Sequence, residues 1–227
     1  MKYLQFTTYY EKIIDSVLNN HSEKINSTKE ARSVIKDSFL ESHRWPYYLN
    51  DEEYEINNIF VNSTYFQKLW AKENNISLEF NNHWKQHIAI EQIKLLRPDV
   101  IFITSESFFD TKFLKFIKNE FQFIKKIILW QGVFPTNRDD YKKFSYIDEV
   151  FTSSNDIRLY LHNEIKCTQI YYAFDHGLIN KIQNIKKNLE VLFIGNIFLE
   201  RSLHGDRAEF IRHLAKNIEN MKIYTNV

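Results

Sequence analysis

Short, nearly continuous apolar runs alternate with longer stretches in which apolar residues recur every three or four positions, and the alternation continues along most of the chain. Runs of this length suit strands buried on both faces, and the wider spacing suits helices with one buried side. KYLQF (2–6) reads as the first strand, followed by a helix over 10–18 with Ile13, Ile14 and Val17 on one side. YEINNIFVN (54–62) is the second strand. The next helix, 63–74, has Ser63 in cap position and presents Phe66, Leu69 and Trp70. A helix over 82–96 puts Trp84, Ile88 and Leu95 on one face; Pro98 ends it and launches the strand DVIFI (99–103). The rhythm then repeats as helix 110–120, KIILW (126–130), a short helix 138–144, DEVFT (148–152), helix 154–164 and TQIYYA (168–173). Ser153 and Asp156 have capping-box spacing for the last of these helices. Residues 20–37 are polar with little period and read as a loop or a solvent-facing helix. Phe39, Leu40, Trp45, Tyr47 and Tyr48, interrupted by Pro46, form an aromatic segment that either packs a helix end on the sheet or offers a platform to a sugar or base.

Alternation of this kind implies right-handed βαβ crossovers and a doubly wound, Rossmann-like parallel sheet in the α/β class. After a polar connector, AFDHGLINKIQNIKKN (173–188), the pattern starts afresh. The strand EVLFI (190–194) runs into Gly195-Asn196, the helix LHGDRAEFIRHLAKN (203–217) follows, and MKIYT (221–225) is one more strand. Strand, glycine turn and helix is the order of a phosphate-facing unit, with backbone N–H groups and the helix dipole aimed at an anion. Residues 1–187 therefore read as one Rossmann-like domain and 188–227 as the opening βαβ of an incomplete second one.

Composition narrows the partners. In 227 residues, 44% hydrophobic and 16% aromatic side chains are ample for a buried core. Thirty basic and 29 acidic residues leave a net charge of +1, so no global field would hold a polyanion, and no nucleic-acid partner is expected. The single cysteine, Cys167, excludes an internal disulfide and suits a reducing compartment. The N-terminal apolar run is too short for a signal peptide, and no window reaches a membrane-spanning length of about 20 apolar residues. A cytoplasmic protein is expected, with membrane contact only at the surface.

In doubly wound sheets ligands sit beyond the carboxyl ends of the strands, so the loops there hold the candidates. These loops contribute Thr8 and Tyr9, Glu106 and Asp110, Gln131 and Gly132, Ser153 and Ser154, Asp175 and His176, and the stretch 195–205. They are rich in hydroxyls and carry neither a Walker A lysine nor a GxGxxG turn. Glu106 and Asp110 suit a base or an acceptor-orienting carboxylate, or simple helix capping. Gln131-Gly132 suits a sugar hydroxyl or a plain turn. His83 and His87 have ligand spacing, but Trp84 stands where a zinc protease needs glutamate, so no metal site is expected. Asp139-Asp140 reads as the acidic opening of a helix.

The ordered series NSTYFQKLWAKEN, then Trp84, Ile88, Gln92 and Ile93, then RPDVIFI, ILWQG, EVFTSS, YYAFDHGLI, LFIGNIF and HGDRAEFIRHLA resembles CgeB-like, family-4-type glycosyltransferases of the GT-B class over nearly the whole chain. The resemblance implies two Rossmann-like domains facing across a cleft, acceptor mostly on the first and nucleotide-sugar mostly on the second. It also implies transfer without a bound metal or other cofactor, commonly in cell-surface or envelope glycan synthesis. Donor-side positions would be Gly195, Asn196, His204 and Arg207, with Asn196 standing where such enzymes often have a second glycine. Thr8, Tyr9, Gln131, Gly132, Ser153 and Ser154 would line the acceptor side. Glu106, Asp175 and His176 are the candidates for catalysis, and none matches a firm catalytic motif.

Three readings follow: a truncated or split glycosyltransferase whose donor half a second chain completes, a non-catalytic module that binds a glycan or a partner, and an unrelated flavodoxin-like ligand-binding domain. The ordered motifs disfavour the third. With the donor half unfinished, the chain alone is expected to be inactive and to show no measurable affinity for UDP- or GDP-sugars by calorimetric titration; clear binding would contradict this.

Overall fold

Strand β1 (Lys2–Thr7) is hydrogen-bonded on both sides, to β2 (Glu55–Phe60) and to β3 (Val100–Ile103), in the computed structural model. The structure describes residues 1–38, 46–49, 53–78, 83–132, 138–155, 157–171, 179, 186, 191–194 and 205–224. β4 (Lys126–Trp130), β5 (Glu149–Thr152) and β6 (Cys167–Gln169) extend the sheet to the order β2-β1-β3-β4-β5-β6, every pair parallel. Helices α1 (Glu11–Asn20), α2 (Thr28–Asp37) and α3 (Pro46–Leu49) fall between β1 and β2. Helices α4 (Thr64–Glu73) and α5 (Trp84–Leu96) lead to β3. The remaining crossovers carry α6 (Thr111–Glu120), α7 (Arg138–Phe144) and α8 (Ile157–His162). The step from β1 to β2 runs one way across the sheet and all later steps run the other. Right-handed crossovers then put the two sets of helices on opposite faces, which is the doubly wound α/β arrangement.

Both faces of the strands are apolar. Leu4, Phe6, Ile101, Ile103, Ile127, Leu129 and Val150 join the main core with Phe113, Leu114 and Ile117 of α6. The alternate positions Val100, Phe102 and Ile128 form a second cluster with Tyr3, Trp130 and Phe151. Each such side chain contributes about 1.5–3 kcal/mol when fully buried. The expected N-caps form: Ser63 accepts from the Phe66 N–H of α4, and Asp110 accepts from the Phe113 N–H of α6 at 2.7 Å. At the other end of α5, Arg97 takes a left-handed conformation with φ 45° before Pro98 and stacks 4.4 Å over the Phe123 ring.

Two segments differ from their sequence reading. Within the polar stretch 20–37 lies α2, with Ala31 and Ile35 wholly buried and Ser27 capping it through the Glu30 N–H. The signal was the Ser27-x-x-Glu30 capping-box spacing, which outweighs a thin apolar stripe. β6 stops at Gln169, short of the expected end at Ala173, and Ile170 and Tyr171 are exposed. Among the described residues β6 pairs only with β5, whose last partnered residue is Thr152 opposite Gln169. Of the aromatic segment, Phe39, Leu40 and Trp45 lie outside the described residues, while Lys36 sits 5.1 Å over the Tyr47 ring.

Carboxylates stitch the amino edge of the sheet. Asp99 accepts the Lys2 N–H at 2.8 Å and pairs with Lys125 at 2.7 Å. Asp148 accepts the Ile127 N–H at 2.7 Å and pairs with Lys118 at 2.5 Å. The buried Glu149 accepts from Thr168 at 2.7 Å and pairs with Lys126 and, at 3.4 Å, with Lys166. Burial pushes the Glu149 carboxyl up, but hydrogen bonds from Lys126 and Thr168 and the two lysine charges outweigh it and hold it below its ordinary range. The Lys125 hydrogen bond and the Lys2 N–H hold Asp99 down as well. Beside Glu149, burial and then the carboxylate's charge push the Cys167 thiol up to about 11, so it stays protonated.

The chain divides into two compact units, Met1–Asp175 and His176–Val227. In the second, β7 (Val191–Ile194) and β8 (Met221–Tyr224) form a parallel sheet of their own, joined through α9 (Gly205–Asn217), whose Ile211 is buried. Among the described residues this unit is a βαβ, and it leaves Leu192, Ile194 and Tyr224 exposed.

Because Glu149 and Asp99 titrate lower in the folded chain than when unfolded, their stabilisation is complete above the ordinary carboxylate pKa of about 4 and drains as pH falls through the depressed values. Thermal melts followed by circular dichroism from about pH 7 to about pH 3 should show a steep loss of Tm below about pH 4. Glu149→Gln should flatten that slope, and Lys126→Met should cost about 2 kcal/mol at neutral pH.

Candidate functional site

Because β1 lies between β2 and β3, the loops after β1 and β3 leave neighbouring strands toward opposite faces and open a crevice at the carboxyl edge. The two loops are tied together: the Thr8 N–H donates to Thr104 Oγ1 at 3.1 Å, and the Thr104 N–H donates to the Phe6 carbonyl at 3.0 Å. Tyr9 is held by one side chain. The Asn62 carboxamide accepts from the Tyr9 N–H at 3.2 Å and donates to its carbonyl at 2.5 Å. Lys85 Nζ in turn donates to the Asn62 carbonyl and to Glu11 Oε1, both at 2.6 Å, and Thr64 Oγ1 donates to the same Glu11 oxygen at 2.7 Å. Burial raises the Glu11 carboxyl, yet the hydrogen bonds from Lys85 and Thr64 and the Lys85 charge bring it down on balance. Asp15 completes the network by accepting Ser63 Oγ at 2.5 Å and the N–H groups of Thr64 and Tyr65. Alpha-helix α4 thus begins on carboxylate and hydroxyl acceptors that also fix the β1 loop.

The pinned backbone leaves the Thr8 and Tyr9 side chains to other partners. Neither hydroxyl makes a hydrogen bond to the described residues, and both side chains are half-buried. Burial, then the neighbouring Tyr10, push the Tyr9 phenol up, so it remains a protonated donor. Farther along the edge, Gln131 is buried and its N–H donates to the Phe151 carbonyl at 2.8 Å, with Gly132 next to it. Thr152 Oγ1 accepts the Ser154 N–H at 3.1 Å, and Gln169 holds the Ser154 carbonyl at 3.3 Å, leaving the half-buried Ser153 at the turn. Three strand spacings separate β1 from β5, so Thr8 and Ser153 stand about 14 Å apart. The structure brings Thr8 and Tyr9 together with Thr104, and puts Ser153 and Ser154 at a second station along the same edge.

Other candidates fare variously. Asp110 is committed as the α6 cap. Glu106 lies in a 3₁₀ turn (Glu106–Phe108), its side chain outside the described residues, as are the side chains of Asp139 and Asp140 in α7. Asp175, His176, Gly195, Asn196 and His204 also lie outside the described residues, whereas Arg207 sits in the first turn of α9. His83 is the residue preceding α5 and His87 lies one turn in; both line a groove of about 470 Å³ with Asp110, Lys112, Phe113 and Phe116. Among the described residues no three His, Cys, Asp or Glu side chains converge on one point. The groove flanks the β3 loop, where Gln86 Nε2 donates to the Phe108 carbonyl at 3.0 Å.

Thr104 opens the loop after β3, one of the carboxyl-end loops that the sequence singles out. Asn62, Lys85 and Glu11 are the residues that sequence reasoning missed; they meet through contacts 23 to 74 residues apart in the chain.

The fold places the protein among doubly wound, Rossmann-like α/β proteins. No protein-family model and no curated protein matches its sequence. Among solved structures, it is similar to the UDP-GlcNAc 2-epimerase from Neisseria meningitidis bound to UDP-GlcNAc, with a TM-score of 0.44 and 10% identity over 100% of this chain and 73% of that one. It is also similar to S. aureus MnaA in its UDP co-structure, with a TM-score of 0.46 and 9% identity over 99% of this chain and 62% of that one. No helix among the described residues is long and apolar enough to cross a membrane.

Asn62→Ala removes both bonds to the Tyr9 backbone and should cost about 1–3 kcal/mol. Hydrogen exchange should show faster exchange at Tyr9 and Tyr10, with the β3 and β4 amides still protected; unchanged exchange at Tyr9 would mean the grip does not hold the loop.

Proposed function

We propose that this chain belongs to a nucleotide-sugar-dependent glycosyltransferase, with the first unit holding the acceptor along the carboxyl edge and the second meeting the donor. The observation that carries the reading is the contrast between the two edges of the sheet. Carboxylates and lysines fill the amino edge, while the stations at the ends of β1, β4 and β5 offer hydroxyl and amide groups: Thr8, Tyr9, Gln131 and Ser153. A neutral polyol is bound well by such groups and gains little from charge. A span of about 14 Å between stations suits more than one sugar ring. The ordered sequence motifs support the same assignment.

In the reaction an acceptor hydroxyl oxygen bonds to the anomeric carbon as the bond from that carbon to the diphosphate oxygen breaks. The hydroxyl proton passes to a base, for which Glu106, Asp175 and His176 are the candidates. Negative charge collects on the diphosphate, where the strand–Gly195–helix order, with Asn196, His204 and Arg207, supplies N–H groups and positive charge. The acceptor hydroxyl must be oriented before attack, and a rigid β1 loop does this at no cost at the moment of reaction.

Calorimetric or NMR titration of the chain with neutral oligosaccharides should give saturable binding. Thr8→Val and Ser153→Ala, neither of which breaks a hydrogen bond within the described residues, should each weaken it about tenfold, or about 1.4 kcal/mol. Absence of glycan binding, or variants that bind as well as wild type, would refute the acceptor assignment. Binding that persists in an assembly lacking any transfer from labelled UDP- or GDP-sugars would make the chain a glycan-binding module.

A further inference from the structure

A second cavity, of about 330 Å³, lies among α2, β2, the end of α4 and the end of α5. The ten residues of α4 span about 15 Å, and this cavity sits at the Glu73 end, away from the Ser63 end at the carboxyl edge. One side of it is apolar, with Ile59, Phe66, Trp70 and Leu95 contributing, while Thr28, Asn57, Glu73 and Asn74 make the rest polar, and Arg32 is its one cation.

Arg32 is half-buried and lightly partnered. Among the described residues its only hydrogen bond is from Nε to the Thr28 carbonyl, at a long 3.4 Å, and it makes no ion pair. The acid nearest to hand, Glu73, spends both oxygens on Thr28, accepting its N–H at 2.9 Å and its hydroxyl at 2.7 Å. Burial lowers the guanidinium pKa, and Tyr47 and Glu73 oppose that shift; an arginine nevertheless keeps its proton. A protonated fork whose remaining N–H groups have no partner among the described residues, half-withdrawn from water beside apolar side chains, gains from an anion that completes it.

We propose that this cavity binds a small carboxylate with a compact apolar body, the carboxylate forked by Arg32 and the body against Trp70 and Phe66. A single guanidinium matches a single negative charge. A phosphate dianion would bring a second charge up to the Glu73 carboxylate in the same lining, which disfavours it. The volume falls within the range of small-molecule sites. Its distance from the carboxyl edge makes it a site separate from the acceptor crevice.

The test is titration of the full chain, by NMR and calorimetry, with phenylacetate, its methyl ester and inorganic phosphate. Phenylacetate should bind saturably, the ester at least tenfold more weakly, and phosphate not at all. Arg32→Met should abolish phenylacetate binding while its ligand-free Tm equals or exceeds that of wild type, because a half-buried charge with no ion pair among the described residues is gone. Failure of phenylacetate to bind, equal binding of the ester or of phosphate, or an Arg32→Met chain that binds undiminished would overturn the proposal. Should that variant not fold, the acid-to-ester ratio in wild type decides alone.

Discussion

β1 is buried on both faces and hydrogen-bonded along both edges, and the arrangement of the first unit follows from that. Leu4 and Phe6 face the main core, and Tyr3 faces the cluster of Val100, Phe102 and Ile128. The polar positions between them, Gln5 and Thr7, are also buried, and they are linked in series: Gln5 Nε2 donates to Thr7 Oγ1 at 2.8 Å, which donates to Asn58 Oδ1 at 2.7 Å. A strand so enclosed fixes which neighbours it has. With β2 on one side and β3 on the other, the chain must reverse its winding direction at β1, and the crevice at the carboxyl edge is the geometric result.

The two edges of this sheet carry different chemistry for different physical reasons. At the amino edge the strands present N–H groups, and carboxylates such as Asp99 and Asp148 accept them while pairing with lysines, which makes that edge stabilising and acid-sensitive. At the carboxyl edge the charges are engaged beside the Tyr9 loop: Glu11 pairs with Lys85, and Asp15 accepts the Ser63 hydroxyl and the Thr64 and Tyr65 N–H groups. What remains there is neutral and directional, the chemistry suited to a hydroxylated ligand held in one orientation. Arg32 is the exception, a half-buried cation lining a cavity with no ion pair among the described residues, Glu73 being held by Thr28.

Much of the fold was legible because it is written locally. KIILW begins and ends where its apolar run does, at Lys126 and Trp130, and Ser63 and Asp110 cap the helices that their spacing announced. Apolar periodicity and capping act over a few residues, so a linear reading captures them. The candidate site was legible only as a set of loops. The Asn62 grip on Tyr9, and the Lys85 bridge from residue 62 to residue 11, join side chains that are commonplace where they stand and become functional only by meeting.

The sequence by itself determined the α/β class, the alternation of strands and helices, the starts of the helices capped by Ser63 and Asp110 and the fresh βαβ after residue 188, because each depends on short-range sterics and on which side of an element is apolar. Tertiary structure alone decided that β1 is internal and that β6 ends early as an edge strand. It also decided which carboxylates face N–H groups and which face lysines, and that Arg32 points into a cavity. Those outcomes depend on which distant surfaces are brought within hydrogen-bonding range, and a linear pattern of apolar and polar residues is compatible with many such pairings.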